Sequence, residues 1–192
     1  HAFWQANYNQ LVNLFPEFKD VSVDELVSMI NKTECALIRT EADELTYPLH
    51  IMVRYEIEKE IAKGNIDYDK LPELWADKYE EYLGVRPANY KEGILQDMHW
   101  STGYLGYFPT YALGSAYAAQ LYATMEKQFD VEEALLTNHF EKITNWLKEN
   151  VHHYAASKSM AEIVEEVSGE PFNPDYYTDY LIKKYKKLYN LD

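Results

Sequence analysis

The sequence is poor in cysteine and in positive charge. Cys35 is the only cysteine among 192 residues, so no disulfide can form within the chain and a reducing, cytoplasmic location is expected. Cys35 itself is predicted to be an inert, buried helix residue. The 18 Lys and Arg stand against 32 Asp and Glu, a formal net charge of −14. This balance argues against nucleic acid or an anionic membrane as a partner.

Long apolar runs are missing as well, and none approaches the ~20 residues that a membrane helix needs. Residues 1–5 have neither the basic region nor the apolar region of a signal peptide. The chain opens without Met, directly in amphipathic sequence, which favours truncation, although His1 fits a tag remnant equally well. With no repeat, low-complexity tract or linker, residues 1–192 are predicted to form a single helical domain.

Three local signatures of chemistry are absent: a C-x-x-C pair, an H-x-x-x-H pair and a glycine-rich phosphate loop. His152 and His153 are adjacent, so on a helix their side chains point about 100° apart and do not chelate one ion together. No metal ligands are therefore assigned within this chain.

Apolar residues recur with helical periodicity and strand-like alternation is absent, so the fold class is predicted to be all-α. Ser22 with Glu25 and Ser159 with Glu162 form capping boxes that open helices. Pro48 falls inside a long helical pattern, where a kink is expected. The predicted helices cover residues 2–14, 22–31, 33–63, 72–83, a segment starting near 109, 138–150, 159–167 and 174–189.

Polar and aromatic side chains are concentrated between residues 93 and 111. Such groups donate or accept hydrogen bonds at fixed points, and the interspersed glycines let backbone or ligand come close. A hydrophobic core does not need this mixture, so the segment is interpreted as the wall of a site. Its polar and aromatic members include Gln96, Asp97, His99, Trp100, Tyr104, Tyr107 and Tyr111.

Two motifs carry a resemblance to a known family. Residues 93–100 read G-I-L-Q-D-M-H-W, and residues 38–43 read I-R-T-E-A-D. They resemble the GxxQDxHW and I-R-x-x-A-D motifs of the thermostable carboxypeptidase (carboxypeptidase Taq) family of zinc metallopeptidases. The likeness extends along the whole chain, to S-G-E-P at residues 168–171. The HExxH helix and the further Glu that bind zinc in the family precede these motifs and are missing here.

The resemblance therefore implies the C-terminal part of a larger, mostly helical, cleft-forming zinc peptidase that removes residues from peptide C-termini. The zinc ion, its ligands and the catalytic Glu would belong to an N-terminal part, so this chain alone is expected to be inactive. Peptides would be the substrates, and the resemblance also implies a homodimer.

Arg39 and Asp43 are four residues apart on the predicted helix and would share a face. Spacing alone favours an ordinary surface pair. The resemblance instead implies that Arg39 binds the terminal carboxylate or a nearby carbonyl of the substrate, with Asp43 holding its rotamer. Gln96 and Asp97 would orient a ring or the substrate.

The resemblance makes His99 a donor to the tetrahedral oxyanion or a contact to the substrate backbone. The alternative is a satisfied histidine in a polar core network. Tyr111 is the first choice for a second oxyanion donor, because a helix beginning at Pro109 would place it in the first turn, and Tyr107 is the second. His50 is predicted to be structural and Trp100 to pack below the site.

A different reading of the chain is a metal-free helical interaction module that retains the fold without catalysis. Arguing against it is the complete set of polar residues at the two motifs, which a binding module would not all need. An unrelated all-α scaffold protein would require both motifs to be coincidental.

Overall fold

The structure is a computed structural model that describes residues 1–64 and 66–191, and the regular secondary structure of these residues is helical, without strands. The predicted all-α fold class is confirmed. None of the described helices combines the length and apolarity needed to cross a membrane. The α-helices of the described chain are α1 (Ala2–Leu14), α2 (Val23–Ile30), α3 (Tyr47–Lys63), α4 (Leu71–Leu83), α5 (Pro109–Glu126), α6 (Val131–Leu136), α7 (Phe140–Asn150), α8 (Met160–Ser168) and α9 (Asp175–Tyr189).

Local capping signals set most helix ends where the sequence predicts them. The Glu25 backbone N–H donates to the Ser22 hydroxyl at 3.2 Å, while the Ser22 N–H donates to the Glu25 carboxylate at 2.8 Å. Ser159 and Glu162 make the same reciprocal pair before α8. Helix α4 ends at Gly84, whose φ of 66° is the left-handed conformation that glycine adopts readily. These signals act within one turn of chain, so the sequence suffices to predict them.

The helix predicted over residues 33–63 is wrong in its first half. Helix α3 begins only at Tyr47, with Pro48 in its first turn, and residues 33–46 are irregular apart from a 3₁₀ turn at Arg39–Glu41. A first-turn residue needs no intrahelical N–H donor and proline has none to offer, so Pro48 starts the helix instead of kinking it.

Asp43 organises the loop that precedes α3. Its Oδ1 accepts the backbone N–H groups of Leu45 and Thr46, each at 2.9 Å, and its Oδ2 accepts the Glu34 N–H at 2.9 Å. Burial alone would raise the pKa of Asp43, but these hydrogen bonds outweigh it and hold the pKa below its ordinary value. The same loop leaves Cys35 exposed, so the prediction of a buried helix cysteine is also wrong.

The chain divides into two compact units, and each has a hydrophobic core of its own. The central unit comprises Asn31–Gly114, and α3 packs on α4 within it. The flanking unit comprises His1–Ile30 and the chain from Ser115 onwards. The core of the central unit is formed by Val53, Ile57, Trp75, Tyr79 and Leu83. Every site residue predicted from the sequence lies in the central unit.

The flanking unit contains one helix that the sequence analysis missed, α6. Its N-cap Asp130 accepts the Glu133 backbone N–H at 2.8 Å, and aspartate is a common N-cap residue, so the start of this helix could have been predicted from the sequence. Short helices of this kind are stabilised mainly by packing, here through the buried Val131 and Ala134. The core of this unit is formed by Leu121, Met125, Val131, Trp146 and Val164.

Candidate functional site

The candidate site is built on the segment between α4 and α5 that carries the Q-D-x-H-W residues. Two 3₁₀ turns, Ile94–Gln96 and Trp100–Thr102, are joined by Asp97 in an extended conformation, with φ −117° and ψ 145°. The change from turn to extended backbone and back to turn lets successive side chains leave the segment in different directions. Gln96 and Asp97 consequently reach α3 and the loop before it, and His99 reaches the first turn of α5.

Asp97 lies between two arginines and accepts from both. Arg39 donates Nε and Nη2 to Oδ1 at 3.1 and 2.7 Å, and Arg54 donates Nε and Nη2 to Oδ2 at 2.7 and 2.5 Å. The Asp97 and Arg39 side chains are each 9% exposed and that of Arg54 is 0% exposed. Burial by itself would raise the pKa of Asp97, but the two guanidinium groups outweigh it and lower the pKa. The three side chains together carry one unbalanced positive charge.

Gln96 ties the same elements together through its amide. Its Nε2 donates to the backbone carbonyls of Leu37 and Glu92 at 3.0 and 2.9 Å. Its Oε1 accepts the Arg39 backbone N–H and Arg54 Nη2, both at 3.0 Å. Because every polar atom of the amide is occupied, Gln96 fixes the 3₁₀ turn that carries Arg39 relative to α3.

Arg39 is held on further sides. Its Nη1 donates to the Tyr47 hydroxyl at 3.0 Å, and its guanidinium carbon lies 5.5 Å from the ring centre of Phe108 and 5.3 Å from that of Tyr111. A guanidinium has five N–H groups, of which Nε, one on Nη1 and one on Nη2 are used. The other two find no acceptor among the described residues, so the group can still bind an anion.

His99 joins this cluster to the first turn of α5. Its Nε2 lies 3.2 Å from the Tyr111 hydroxyl, and its Nδ1 is buried, 4.0 Å from Asp97 Oδ1 and without a hydrogen-bond partner among the described residues. The Tyr107 ring stacks on the imidazole with centres 5.7 Å apart and planes at 25°. Phe108 covers another side at 4.4 Å. The ring is therefore fixed by packing while Nε2 and the phenol face each other.

Tyr111 stands in the first turn of α5, as the sequence predicts. Burial and the neighbouring Tyr107 raise the pKa of the Tyr111 phenol above its ordinary value. Like any tyrosine at neutral pH, it carries a proton that it can donate. Tyr107 presents its ring edge-on to Tyr111 at 5.4 Å and is 43% exposed. The two tyrosines and His99 form one aromatic group on the rim of the charged cluster.

The predicted pairing of Arg39 with Asp43 is wrong. The two residues do not share a helix face, because α3 begins after both of them, and the Asp43 carboxylate is occupied by the backbone of its own loop. Asp97, fifty-eight residues beyond Arg39 in the chain, holds the guanidinium instead. The four-residue spacing was meaningful only for a helix that does not form there.

Arg54 and Tyr47 belong to the site and were missed by the sequence analysis. A signal for Arg54 exists: His50, Arg54 and Glu58 recur every four residues on α3 among apolar neighbours, and all three are buried. Such a polar stripe on a core-facing side indicates a buried network rather than a solvated face. Glu58 accepts the indole N–H of Trp100 at 2.8 Å, which anchors that packing residue.

His50 makes the stability of the central unit depend on pH. It is 0% exposed, its Nδ1 lies 3.1 Å from the Tyr79 hydroxyl, and burial together with the charges of Arg54 and Arg39 lowers its pKa from 6.5 to about 4. The folded state keeps His50 neutral while the unfolded chain takes up the proton below pH 6.5. We expect the free energy of unfolding to fall by about 2 kcal/mol between pH 7 and pH 5 from this residue.

Urea unfolding at pH 7 and pH 5 measures this loss. His50→Gln removes the titrating group, so its unfolding free energy is expected to change much less over the same interval. The matched control is His139→Gln, at an exposed position, which should retain the wild-type pH dependence. An equal loss in His50→Gln and wild type would contradict the assignment to His50.

The described residues do not fit a metal ion by themselves. Residues 1–64 and 66–191 contain no group of three or more His, Cys, Asp and Glu side chains arranged to hold one. The carboxylate and imidazole of the site are engaged with arginines and tyrosines. A metal-dependent reaction at this site would therefore need ligands from outside these residues.

Comparison with solved structures gives the class of this fold. The M32 carboxypeptidase from Deinococcus radiodurans R1 matches with a TM-score of 0.95 and 35% sequence identity, covering 98% of this chain and 39% of that chain. The described fold therefore matches the corresponding part of that helical carboxypeptidase. The chain belongs to the carboxypeptidase Taq (M32) metallopeptidase family, whose model matches residues 1–185.

Curated relatives agree with this family. Carboxypeptidase 1 of Bacillus subtilis is 47% identical over 191 residues, covering 98% of this chain and 38% of the relative. Thermostable carboxypeptidase 1 of Thermus thermophilus is 39% identical over 189 residues, covering 98% of this chain and 37% of the relative. The chain thus spans a little over a third of the length of these relatives. The resemblance stated from the two motifs is confirmed.

Proposed function

We propose that this chain is the C-terminal, substrate-binding part of a zinc-dependent metallocarboxypeptidase that hydrolyses the C-terminal peptide bond of peptides. The observation that carries the proposal is the buried cluster of Arg39, Arg54 and Asp97, which has one positive charge in excess beside a histidine–tyrosine pair. An excess buried cation with unused N–H groups suits a terminal carboxylate, and the neighbouring donors suit an oxyanion.

Arg39 would bind the substrate's terminal carboxylate. Asp97 accepts from Nε and Nη2 and Tyr47 accepts from Nη1, so the guanidinium is held in one orientation and its two remaining N–H groups keep a fixed direction. A preorganised fork loses little conformational entropy on binding and matches the two oxygens of a carboxylate. Asp43 would act only indirectly, through the loop that carries Arg39.

His99 and Tyr111 would stabilise the charge that develops on the carbonyl oxygen of the scissile bond. Tyr111 can donate from its hydroxyl, and His99 can donate from Nε2 in the tautomer that is protonated there, while the surrounding rings hold both side chains in place. Such preorganised donors stabilise most strongly where negative charge grows in the transition state. Tyr107 would support the imidazole by stacking and is the second choice as a donor. Gln96 and Asp97 would hold the substrate-binding arginine.

Zinc, its ligands and a catalytic Glu would come from an N-terminal part of the same polypeptide. When bound, zinc would supply a nucleophilic water and polarise the scissile carbonyl. On this proposal the 192 residues are inactive by themselves. A homodimer and a cytoplasmic location stay predictions.

The proposal is tested with Arg39→Lys in the complete protein, assayed on an N-blocked dipeptide with a free C-terminus. Lysine keeps the charge but loses the planar fork, so KM is expected to rise about 10–100-fold, the loss of one or two charge-assisted hydrogen bonds. The buried pair with Asp97 is weakened as well, so the melting temperature is expected to fall. A chelator should abolish the wild-type reaction.

The matched control is Arg86→Lys, which changes an exposed arginine paired with Asp77 and Glu80 and should leave KM unchanged. A wild-type KM in Arg39→Lys would remove Arg39 from the carboxylate site. Complete protein that carries no metal and releases no C-terminal residue would contradict the proposed function and favour the metal-free interaction module.

A further inference from the structure

Arg54 is the most completely enclosed charge of the central unit. It projects from the middle of α3 and is 0% exposed. Its guanidinium carbon lies 4.6 Å from the ring centre of Trp75, and its Nη1 donates to the His50 carbonyl at 2.7 Å and to the Tyr79 hydroxyl at 3.1 Å. Because its surroundings are all protein, Arg54 does not touch a substrate.

Burying a cation carries a large desolvation cost. Desolvation of a charge commonly offsets what its ion pair contributes, and apolar side chains of similar volume often stabilise a fold as well or better. The fork of Arg54 is nevertheless used in full, since Nε and Nη2 hold Asp97 and Nη2 also reaches Gln96. The bidentate contact of Arg54 fixes the orientation of the Asp97 carboxylate, because a guanidinium fork sets the plane of the carboxylate that it binds.

Asp97 and Gln96 each bind both Arg54 and Arg39. Asp97 divides its oxygens, Oδ1 to Arg39 and Oδ2 to Arg54. Gln96 Oε1 accepts both the Arg39 backbone N–H and Arg54 Nη2. Arg54 is therefore linked to the Arg39 side chain through Asp97 and to the Arg39 backbone through Gln96.

We propose that Arg54 is a positioning residue that acts through Asp97 and Gln96 to aim the Arg39 guanidinium at a C-terminal carboxylate. The inference rests on the proposed function, because it takes the ligand of Arg39 to be a carboxylate. Without the second fork, Asp97 is free to turn about its side-chain bonds, and Arg39 turns with it.

Arg54→Lys in the complete, metal-loaded protein tests this role. The probes are a dipeptide analogue whose scissile amide is replaced by an uncleavable CH₂–NH group, as the free acid and as the C-terminal amide, with affinity measured by titration calorimetry. Lysine keeps the charge but cannot bind Asp97 and Gln96 together. The free acid is expected to bind Arg54→Lys about tenfold more weakly than wild type, because one well-aligned charge-assisted hydrogen bond is lost. The affinity for the C-terminal amide is expected to be unchanged.

Arg86→Lys serves as the control and should leave both affinities unchanged. Combining Arg54→Lys with Arg39→Lys should weaken binding of the acid little more than Arg39→Lys alone, because both changes act on one contact. Should Arg54→Lys fail to fold, Tyr79→Phe leaves Arg54 in place and removes one of its acceptors, together with the contacts of that hydroxyl to His50 Nδ1 and Gln96 Oε1. It is expected to lower the acid's affinity by a smaller factor, about threefold.

The outcomes separate the inference from the proposed function. Wild-type protein that binds acid and amide equally contradicts the carboxylate site itself. A wild-type preference for the acid that persists in Arg54→Lys and Tyr79→Phe overturns the role of Arg54 alone. Equal weakening of acid and amide, with a lower melting temperature, would mean that Arg54 serves stability and would also overturn it.

Discussion

Replacing Asp97 with asparagine is expected to lower the free energy of unfolding by about 3–5 kcal/mol, as observed when one partner of a buried ion pair is removed. Asp97 is the carboxylate that Arg39 and Arg54 share, and both arginine side chains are nearly or wholly buried. The neutral amide of asparagine leaves both guanidinium groups without a counter-charge. Its N–H₂ group replaces one accepting oxygen and faces the N–H donors of an arginine. Repulsion between the arginines adds to the cost of desolvating them.

Urea unfolding at pH 7 measures the effect. The matched control is Asp77→Asn, which removes a carboxylate paired with the exposed Arg86 and is expected to cost under about 1 kcal/mol. If the two variants lose the same small amount, the two-arginine cluster does not stabilise the fold. The pKa of Asp97 is lowered in the folded state, so its contribution is fully present above its unfolded pKa of 3.8 and is lost as pH falls through the lowered value.

Tyr111→Phe is expected to lower kcat of the complete protein by about 10²–10³-fold, the cost of removing one oxyanion donor. The phenol lies 3.2 Å from His99 Nε2 and carries a proton that it can donate at neutral pH. Phenylalanine retains the ring that covers Arg39, so substrate binding should be conserved and KM should change little.

Steady-state kinetics on an N-blocked dipeptide separates kcat from KM. Tyr107→Phe is the matched control, because it removes a phenol on the same rim and keeps the stacking on His99. It is expected to lower kcat less than Tyr111→Phe. A larger effect of Tyr107→Phe would transfer the donor role to that residue, and unchanged kcat in both variants would leave His99 as the only donor of the group.

Helix ends and the membership of the site were largely predictable, for different reasons. The capping boxes and the glycine at the end of α4 depend on residues a few positions apart, so these helix ends can be predicted from the sequence. Gln96, Asp97 and His99 are predicted from a motif, and Tyr111 from its place in the first turn of a helix beginning at Pro109. The structure brings these four residues together near Arg39.

The wrong predictions for residues 33–46 have a common origin. Pro48 has two local interpretations, a kink within a long helix or the first turn of a new one, and the second is correct. The choice of the first placed Arg39 and Asp43 on a helix that does not form, and gave Arg39 the wrong partner. It also placed Cys35 on that helix, while the prediction that Cys35 is buried followed from the usual burial of free cysteines.

Periodicity, caps and motifs are local, so the all-α fold class, the positions of most helix ends and the family can be predicted from the sequence. That Asp97 joins Arg39 to Arg54, and that Asp43 binds the backbone of its own loop, is seen only once the chain is folded. The physical reason is that Arg39 and Asp97 are brought together by the packing of α3 and α4 into a core. The spacing of residues along the chain does not show which distant carboxylate will lie beside Arg39 after folding.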